Sequence, residues 1–410
     1  MTAPSDTTSA RTTASLRKLL AVVALGGLLG TVPACGNVDS NRAPAALAAT
    51  ITAAPAVAAE PRRHPGHYVS LNRTDELNVV AELRQPGIRG FQRRHTWRTL
   101  EPNAGEYDFS AIRRDLAVAA RHKLQYVVLI EDKTFTEEIP TPAYLEVPPA
   151  TLKNRNRGYT AARWRPEVAG AFRDLVVELG RTFDDHPNFE GIGIQETALS
   201  LTDEALRSAQ YSAAAYQQTL SALLEAGSGA MTRGNVFWYM NFLPARQKGL
   251  ADIIAKTVIC RDNIIVGGPD VLPGKPALTR HTYPLYEQFS GQATFFNSMQ
   301  FDSYAHPRNH GPQTADAASV QEAGAASREP RYWTLAELTE FARDELGVSY
   351  LFWNRKTWRK PADSYAFEDA LPVFSRYATL ARAHDRPSCA ERDCPSDDLR
   401  AGADSAGDES

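Results

Sequence analysis

The feature that most constrains the fold of this chain is a repeated alternation of short apolar segments with longer amphipathic segments. The short segments carry few polar side chains and are bounded by turn residues, which is typical of buried strands. Eight can be counted: His67–Leu71, Gly87–His95, Leu124–Ile130, Gly191–Gln195, Val236–Asn241, Ile264–Gly268, Thr294–Gln300 and Ser349–Trp353. The amphipathic segments have the apolar spacing of helices: Ile112–His122, Glu167–Phe183, Asp203–Ala226, Ala245–Val258 and Thr334–Leu346. At the start of the last one, Thr334 and Glu337 predict a capping box.

This alternation predicts a (β/α)8 barrel, an α/β fold. Parallel neighbouring strands need crossover helices, and eight strands close into a cylinder filled by side chains. The alternative is an open, doubly wound sheet, which usually carries a glycine-rich nucleotide turn after its first strand. The residues around His67–Asn72 offer no such turn. We place the barrel at residues 66–386, with long loops after the third and seventh strands.

The first 34 residues predict an export signal. A positively charged start, which includes Arg11, Arg17 and Lys18, precedes a short apolar core and then small residues. The apolar core is too short to span a bilayer comfortably, although a membrane anchor that stays attached is an alternative.

The residues before Cys35 resemble a bacterial lipobox, in which the cysteine is lipidated and becomes the first residue of the mature chain. Val32 and Pro33 depart from the commonest residues of that motif, which leaves ordinary cleavage and secretion as an alternative. Gly36 resembles the residue after the cysteine in outer-membrane lipoproteins of Gram-negative bacteria. We therefore expect a lipid-anchored protein of the cell envelope, with no other membrane contact.

The two ends of the barrel segment differ from it in composition. Residues 35–65 are rich in Ala, Pro and Thr and predict a disordered tether, because they cannot bury enough apolar surface to fold. Residues 387–410 are a polar tail, in which Cys389 and Cys394 are close enough in sequence to form a local disulfide in an oxidising compartment. Cys260 follows an apolar segment and is expected to be a buried thiol.

The fourth predicted strand ends in a carboxylate, Glu196. In a (β/α)8 barrel the C-terminal ends of the strands hold the chemistry, so Glu196 is the first candidate for a catalytic acid. The alternative is a structural ion pair with one of the arginines at the rim.

The other predicted strands also end in polar or aromatic side chains, which a barrel would gather on one face. The candidates to contact a substrate there are Arg94, His95, Trp97, Asp132, Gln195, Asn241, Trp353 and Asn354. Aromatic faces stack on pyranose rings, amides and charged groups bind hydroxyl groups, and two carboxyls can flank a glycosidic bond. The sequence therefore predicts that the protein binds a polysaccharide or oligosaccharide without a metal or cofactor. It leaves the oligomeric state open, with a monomer favoured. A net charge of -3 gives no reason to expect nucleic acid.

The segment after the second predicted strand has a distinctive pattern. Trp97, Leu100-Glu101-Pro102, Gly105 and Tyr107-Asp108-Phe109-Ser110 precede an amphipathic helix. This pattern resembles the same segment in the large clan of (β/α)8 glycoside hydrolases, and the resemblance covers most of Gly87–Trp358.

The resemblance implies an acid/base Glu at the end of strand four, which Glu196 matches, and an aromatic platform at strand eight, which Trp353 matches. Two positions depart from the clan. Gln195 stands where the clan usually has Asn, and Gln300 followed by Asp302 stands where the clan has its nucleophile Glu.

The partner of Glu196 is therefore open among three carboxylates. We rank Asp302 first because it follows strand seven, then Asp270, and then Asp132. Asp270 follows Gly-Gly-Pro and can instead hold a turn, and Asp132 precedes Lys133 and can instead form an ion pair at the rim.

Together these features predict a glycoside hydrolase with a two-carboxylate mechanism. Glu196 would protonate the leaving oxygen, while a second carboxylate attacks the sugar or activates water. One alternative is a non-catalytic glycan-binding lipoprotein on a degenerate glycosidase barrel, which the missing strand-seven Glu keeps open. Another is a scaffold lipoprotein with no organised cleft.

Overall fold

The computed structural model describes residues 60–244, 248–268, 270–308 and 332–380. The predicted export signal, Cys35, most of the predicted tether, and the tail with Cys389 and Cys394 lie outside these residues. Within the described ranges, no helix combines the length and the hydropathy needed to cross a membrane.

The described residues form ten strands. They are β1 (Gly66–Leu71), β2 (Ile88–Thr96), β3 (Gln125–Glu131), β4 (Thr151–Lys153), β5 (Tyr159–Ala161), β6 (Phe189–Ile194), β7 (Asn235–Tyr239), β8 (Ile264–Gly267), β9 (Thr294–Met299) and β10 (Tyr350–Asn354). All except β4 and β5 are parallel to their neighbours, and β10 pairs with β1 to close a barrel. The predicted (β/α)8 barrel is confirmed with all eight predicted strands, and the open sheet is excluded. β4 and β5 form an antiparallel hairpin in the long loop after β3.

Helices surround the barrel. In the described part they are α1 (Val79–Glu82), α2 (Trp97–Leu100), α3 (Ser110–His122), α4 (Pro166–Phe183), α5 (Asp203–Ser208), α6 (Ala213–Gly229), α7 (Gly249–Ile253), α8 (Pro276–His281), α9 (Tyr283–Gln288), α10 (Leu335–Glu340) and α11 (Leu371–Arg376). The capping box predicted at the start of α10 is confirmed, because the Thr334 hydroxyl accepts from the backbone of Glu337 and the Glu337 carboxylate accepts from the backbone of Thr334. The helix predicted over Asp203–Ala226 is instead two helices. Gln210 lies between them with φ of 53°, a left-handed conformation that a helix cannot continue through.

Alternate residues of the strands fill the interior of the barrel. This inner cluster consists of Tyr68, Val127, Leu129, Phe237, Tyr239, Ile265, Phe296, Tyr350 and Phe352. Residues between them along the strands, such as Val128 and Trp353, belong to the layer between strands and helices. Toward the C-terminal ends of the strands the interior becomes polar, where the hydroxyls of Tyr239 and Ser70 donate to Gln92 Oε1 over 3.0 and 3.3 Å.

Close contact between β6 and β7 depends on a glycine. Gly191 has φ of 152°, and a Cβ there would lie 1.9 Å from the backbone oxygen of Asn235. A side chain at this position would push β6 away from β7. Glycine thereby fixes the strand that leads to Glu196.

Cys260 differs from its prediction. It is half-buried and disulfide-bonded, so the expected buried free thiol is wrong. The other three cysteines, Cys35, Cys389 and Cys394, lie outside the described residues.

Candidate active site

A cavity of about 650 Å³ opens at the C-terminal ends of the barrel strands. Its lining consists of Arg94, Leu129, Phe135, Asn156, Gln195, Glu196, Tyr239, Asp270, Lys275, Gln300, Phe301 and Asp302. Three of the lining residues are carboxylates, and they follow β6, β8 and β9. The structure therefore brings Glu196 together with two of its three predicted partners, at the face where (β/α)8 barrels hold their active sites.

Glu196 is held by one cation and one amide. The Lys133 ammonium donates a hydrogen bond to Glu196 Oε1, and Asn241 Nδ2 donates to Glu196 Oε2 over 3.0 Å. Burial raises the pKa of Glu196, but the charge of Lys133 and these two hydrogen bonds outweigh burial, with a smaller contribution from Arg94. The pKa of Glu196 therefore lies below its usual value of 4.5. Glu196 is a stabilised carboxylate.

Lys133 is suited to this role because it is almost completely buried. Its side chain is 1% exposed, and it also donates to the backbone oxygen of Ala198 over 2.7 Å. A buried ammonium requires a partner of opposite charge, since an unpaired charge away from water is costly. Lys133 was expected only as a possible ion-pair partner of Asp132 at the rim, whereas it pairs with Glu196.

Asp132 itself is fully buried and does not line the cavity, so its predicted place in the sugar site is corrected. Its Oδ2 lies 2.9 Å from Nε of Arg163, which is also buried. Arg163 in turn donates to the backbone oxygen of Glu196 over 2.8 Å. The ion pair with Asp132 thus positions Arg163 to hydrogen-bond the backbone just after β6.

Gln195 lines the cavity, but its carboxamide oxygen is already hydrogen-bonded to the backbone. Gln195 Oε1 accepts from the backbone N–H groups of Asp132 and Lys133 over 2.9 and 2.8 Å. These bonds tie the end of β3 to the end of β6. They fix the backbone on both sides of the Lys133–Glu196 pair.

The surroundings of Asp270 shift its pKa in the opposite direction from that of Glu196. Burial raises the pKa of Asp270 to about 6, and the charges of Glu196 and Asp302 add to this effect. Lys275, with Nζ 3.7 Å from Asp270 Oδ2, opposes it without cancelling it. The sequence reasoning missed Lys275, although it follows Asp270 within the same Gly- and Pro-rich loop.

Asp302 is exposed at the mouth of the cavity, on a short 3₁₀ turn, Phe301–Ala305. Gln300, which precedes the turn, lines the cavity at the position to which the resemblance to the clan assigns a nucleophile. The amide of Asn354, a buried residue, donates to Gln300 Oε1. Asn354 therefore positions a cavity residue without lining the cavity itself.

His95 and Trp97 lie outside the cavity, which corrects their predicted contact with substrate. His95 Nε2 is 2.7 Å from the hydroxyl of Tyr126 and 3.2 Å from Asp115 Oδ2, in the layer between β2 and α3. Trp97 is completely buried, and its Nε1 donates to Glu101 Oε2 over 2.6 Å. Both side chains stabilise the barrel wall. Arg94, the neighbour of His95, does line the cavity.

Trp353 is also not the predicted aromatic platform. It is fully buried behind β10, where it packs against Phe374. Its Nε1 donates to His67 Nδ1 over 3.0 Å, while His67 Nε2 lies 2.9 Å from the backbone oxygen of Tyr377. Burial lowers the pKa of His67 to about 4, so the ring is neutral and accepts from Trp353 while it donates to Tyr377.

Replacing Trp353 with phenylalanine is expected to reduce stability and leave substrate affinity unchanged. The change removes one buried hydrogen bond and leaves His67 Nδ1 without its donor, at a cost of about 1–3 kcal/mol. Urea denaturation checks the loss, and KM checks the affinity. A tenfold rise in KM with unchanged stability would restore the platform assignment.

The described residues contain no group of three His, Cys, Asp or Glu side chains that could hold a metal ion.

Two aromatic rings at the cavity, Phe135 and Phe301, are 49% and 37% exposed, and sequence reasoning missed both. Both follow the ends of strands, but the sequence does not show whether a phenylalanine in such a loop is exposed or buried.

No protein-family model matches the chain, and no curated protein sequence matches it. Among solved structures, the chain is similar to endo-glycoceramidase II from Rhodococcus sp., with 10% identity and a TM-score of 0.46 over 76% of this chain and 80% of that one. It is also similar to a GH5_18 protein from Bifidobacterium longum subsp. infantis, with 13% identity and a TM-score of 0.47 over 80% and 81% of the two chains. The barrel predicted from the alternation of strand-like and helix-like segments is present in the chain itself. The chemistry of the site depends on the residues that line the cavity.

Proposed function

We propose that the protein is a glycoside hydrolase in which Asp270 is the general acid and Glu196 is the charged carboxylate. The observation that carries the proposal is that two carboxyls line one cavity in surroundings that shift their pKa values in opposite directions: Lys133 and Asn241 hydrogen-bond Glu196, whereas Asp270 is largely buried beside two other carboxylates. A pair of titratable groups whose surroundings push their pKa values apart divides the acid and base roles between them.

Glycosidic cleavage needs both roles. Asp270 gives its proton to the glycosidic oxygen, the bond from that oxygen to the anomeric carbon breaks, and the leaving group departs as an alcohol. In a retaining reaction Glu196 bonds to the anomeric carbon, and Asp270 then takes a proton from the water that releases the sugar. In an inverting reaction Glu196 takes the proton from the attacking water. The anomer of the first product distinguishes the two reactions.

This proposal reverses the roles predicted from the sequence. Glu196 was expected to be the acid, which requires a raised pKa, whereas Lys133 and Asn241 hold its pKa down. Asp270, which was ranked second among the partners, lines the cavity and has a raised pKa. Asp302 remains a third carboxylate at the mouth of the cavity.

The proposed roles predict a specific pH dependence. Activity requires protonated Asp270, so kcat/KM is expected to fall about tenfold per pH unit above a midpoint of about 6. It also requires ionised Glu196, so the loss on the acidic side lies below pH 4.5. The rates of sugar release between about pH 3 and pH 9 check both limbs. A rate that increases through pH 6 would contradict the assignment of the acid.

The test of the function is the release of reducing ends from neutral and acidic polysaccharides and oligosaccharides. The full chain is compared with Glu196→Gln and with Asp174→Asn, a control whose exposed carboxylate accepts hydrogen bonds from its neighbour Arg173 and does not line the cavity. Hydrolysis by the chain and the control but not by Glu196→Gln supports the proposal. Binding of a glycan without hydrolysis would favour the glycan-binding alternative. Gln300 is consistent with that alternative, because it stands where the resemblance implies a nucleophile Glu.

A further inference from the structure

A second cavity, of about 920 Å³, adjoins the first. The two cavities share Lys275, Phe301 and Asp302 in their linings. Each has the volume of a complete small-molecule site. The two adjoining cavities, here called the groove, together offer more space than the surroundings of Glu196 and Asp270 alone.

Exposed aromatic rings line the second cavity. Trp358 is 47% exposed and Phe301 is 37% exposed, and their ring centroids lie 5.0 Å apart. Large apolar side chains that stay exposed beside a groove mark a binding surface. The wall also contains His306, the cations Lys356 and Lys360, and six apolar residues: Leu272, Pro276, Ala277, Ala305, Pro307 and Pro361.

Phe135 adds an exposed ring on the opposite side of the barrel rim from Phe301, because it follows β3, which lies four strands away from β9 in the closed order of eight. It is 49% exposed and lines the first cavity, where the Lys133 ammonium lies 4.9 Å from its ring centroid. Aromatic surface therefore flanks the carboxylates on both sides. A site that removes a single terminal sugar needs such surface on only one side of the scissile bond.

The position of Asp270 indicates which part of the substrate enters the second cavity. Asp270 pairs with Lys275, and Lys275 lines both cavities. A general acid protonates the oxygen that leaves, so the leaving group lies on the side of the acid. That side leads to the second cavity.

We propose that the second cavity binds the leaving-group portion of an oligosaccharide, with Trp358 and Phe301 stacked on its sugar rings, so that the protein cleaves internal glycosidic bonds. This inference rests on the proposed glycoside hydrolase function. Sugar rings present the apolar C–H faces that an exposed aromatic pair can cover, while their hydroxyl groups stay in contact with water at the open side.

The test compares two substrates with the same sugar on the side of Glu196. One is an oligosaccharide from the panel, and the other is the glycosyl fluoride of the same sugar, whose leaving group is too small to occupy the second cavity. Trp358→Ala is expected to lower kcat/KM on the oligosaccharide about tenfold or more, equivalent to one stacking contact of at least 1.4 kcal/mol. The loss on the fluoride is expected to be much smaller. Trp353→Phe is the matched control for a buried tryptophan.

Each outcome has a distinct meaning. Equal losses on both substrates, or no loss on either, would overturn the proposed leaving-group site. If the unmodified chain hydrolyses neither substrate, the glycoside hydrolase proposal fails, and calorimetric binding of the oligosaccharide then tests the cavity alone. Weaker binding by Trp358→Ala would still support an oligosaccharide site there, whereas unchanged binding would refute it.

Discussion

Glu196→Gln is expected to lower kcat/KM by roughly 10³-fold or more at every pH, which is the largest effect that we predict. Glutamine has the same size and can still accept the hydrogen bond from Lys133. It cannot carry the negative charge that attacks the anomeric carbon or takes a proton from water. Steady-state rates on the best substrate of the panel check this loss, and activity within tenfold of the unmodified chain would remove Glu196 from the mechanism.

The same substitution also leaves the Lys133 ammonium buried without a carboxylate. Breaking a buried ion pair by changing one partner costs about 3–5 kcal/mol. The loss of the catalytic carboxylate therefore has to be distinguished from a loss of activity caused by unfolding. The double variant Lys133→Met with Glu196→Gln removes both charges and is expected to recover much of the stability and none of the activity. Chemical denaturation and rates on both variants distinguish the two effects. Recovered activity in the double variant would show that the carboxylate serves only the fold.

Asp270→Asn is expected to reduce kcat/KM about 10²- to 10⁴-fold on substrates whose leaving group is a sugar alcohol. Such a leaving group needs a proton, and asparagine has none to give. Fluoride leaves without protonation, so the glycosyl fluoride is expected to lose far less. The ratio of the two losses is the measurement. Equal losses would show that Asp270 is not the acid.

The same variant is expected to be more stable than the unmodified chain at neutral pH. The folded-state pKa of Asp270, about 6, lies above its usual value of 3.8, so ionisation destabilises the fold. The effect is absent below pH 3.8, where the carboxyl is protonated in both states, and is complete above pH 6. The pKa difference corresponds to about 1–3 kcal/mol. Thermal melting at about pH 3.5 and pH 7.5 checks the sign, and a gain at low pH alone would contradict it.

The barrel could be predicted because each strand carries its own signal. A short apolar segment between helical patterns identifies a strand, and the closed order follows from eight repeats. The place of Glu196 followed for the same reason, since the end of a strand fixes the side of the barrel on which the next residues lie.

The direction of each side chain was harder to predict. Successive strand residues point to opposite faces, so a one-residue difference separates the interior from the outer layer. Trp353 falls on the outer face and Phe352 on the inner face, and an aromatic at either position has the same hydrophobic signal. Asp132 and His95 were expected in the cavity because each lies at the end of a strand, where the sequence does not show which way a side chain points. In the structure, ion pairs and hydrogen bonds hold both side chains outside the cavity.

The roles of the carboxylates were not accessible from the sequence. They depend on Lys133 and Asn241 reaching Glu196, and on the burial of Asp270 in a loop after another strand. These contacts join residues that are 63 and 45 positions apart from Glu196. Only the closed barrel brings them together, so neither the low pKa of Glu196 nor the high pKa of Asp270 has a local signal.

The most direct measurement of the two opposed pKa shifts is a carbon-13 NMR titration of the side-chain carboxyls. Labelled aspartate and glutamate spectra of the full chain are compared with those of Asp270→Asn and Glu196→Gln, which assign the two signals. We predict a midpoint of about 6 for Asp270 and one below 4.5 for Glu196. A midpoint near 3.8 for Asp270, or one for Glu196 above that of Asp270, would contradict the proposed division of roles.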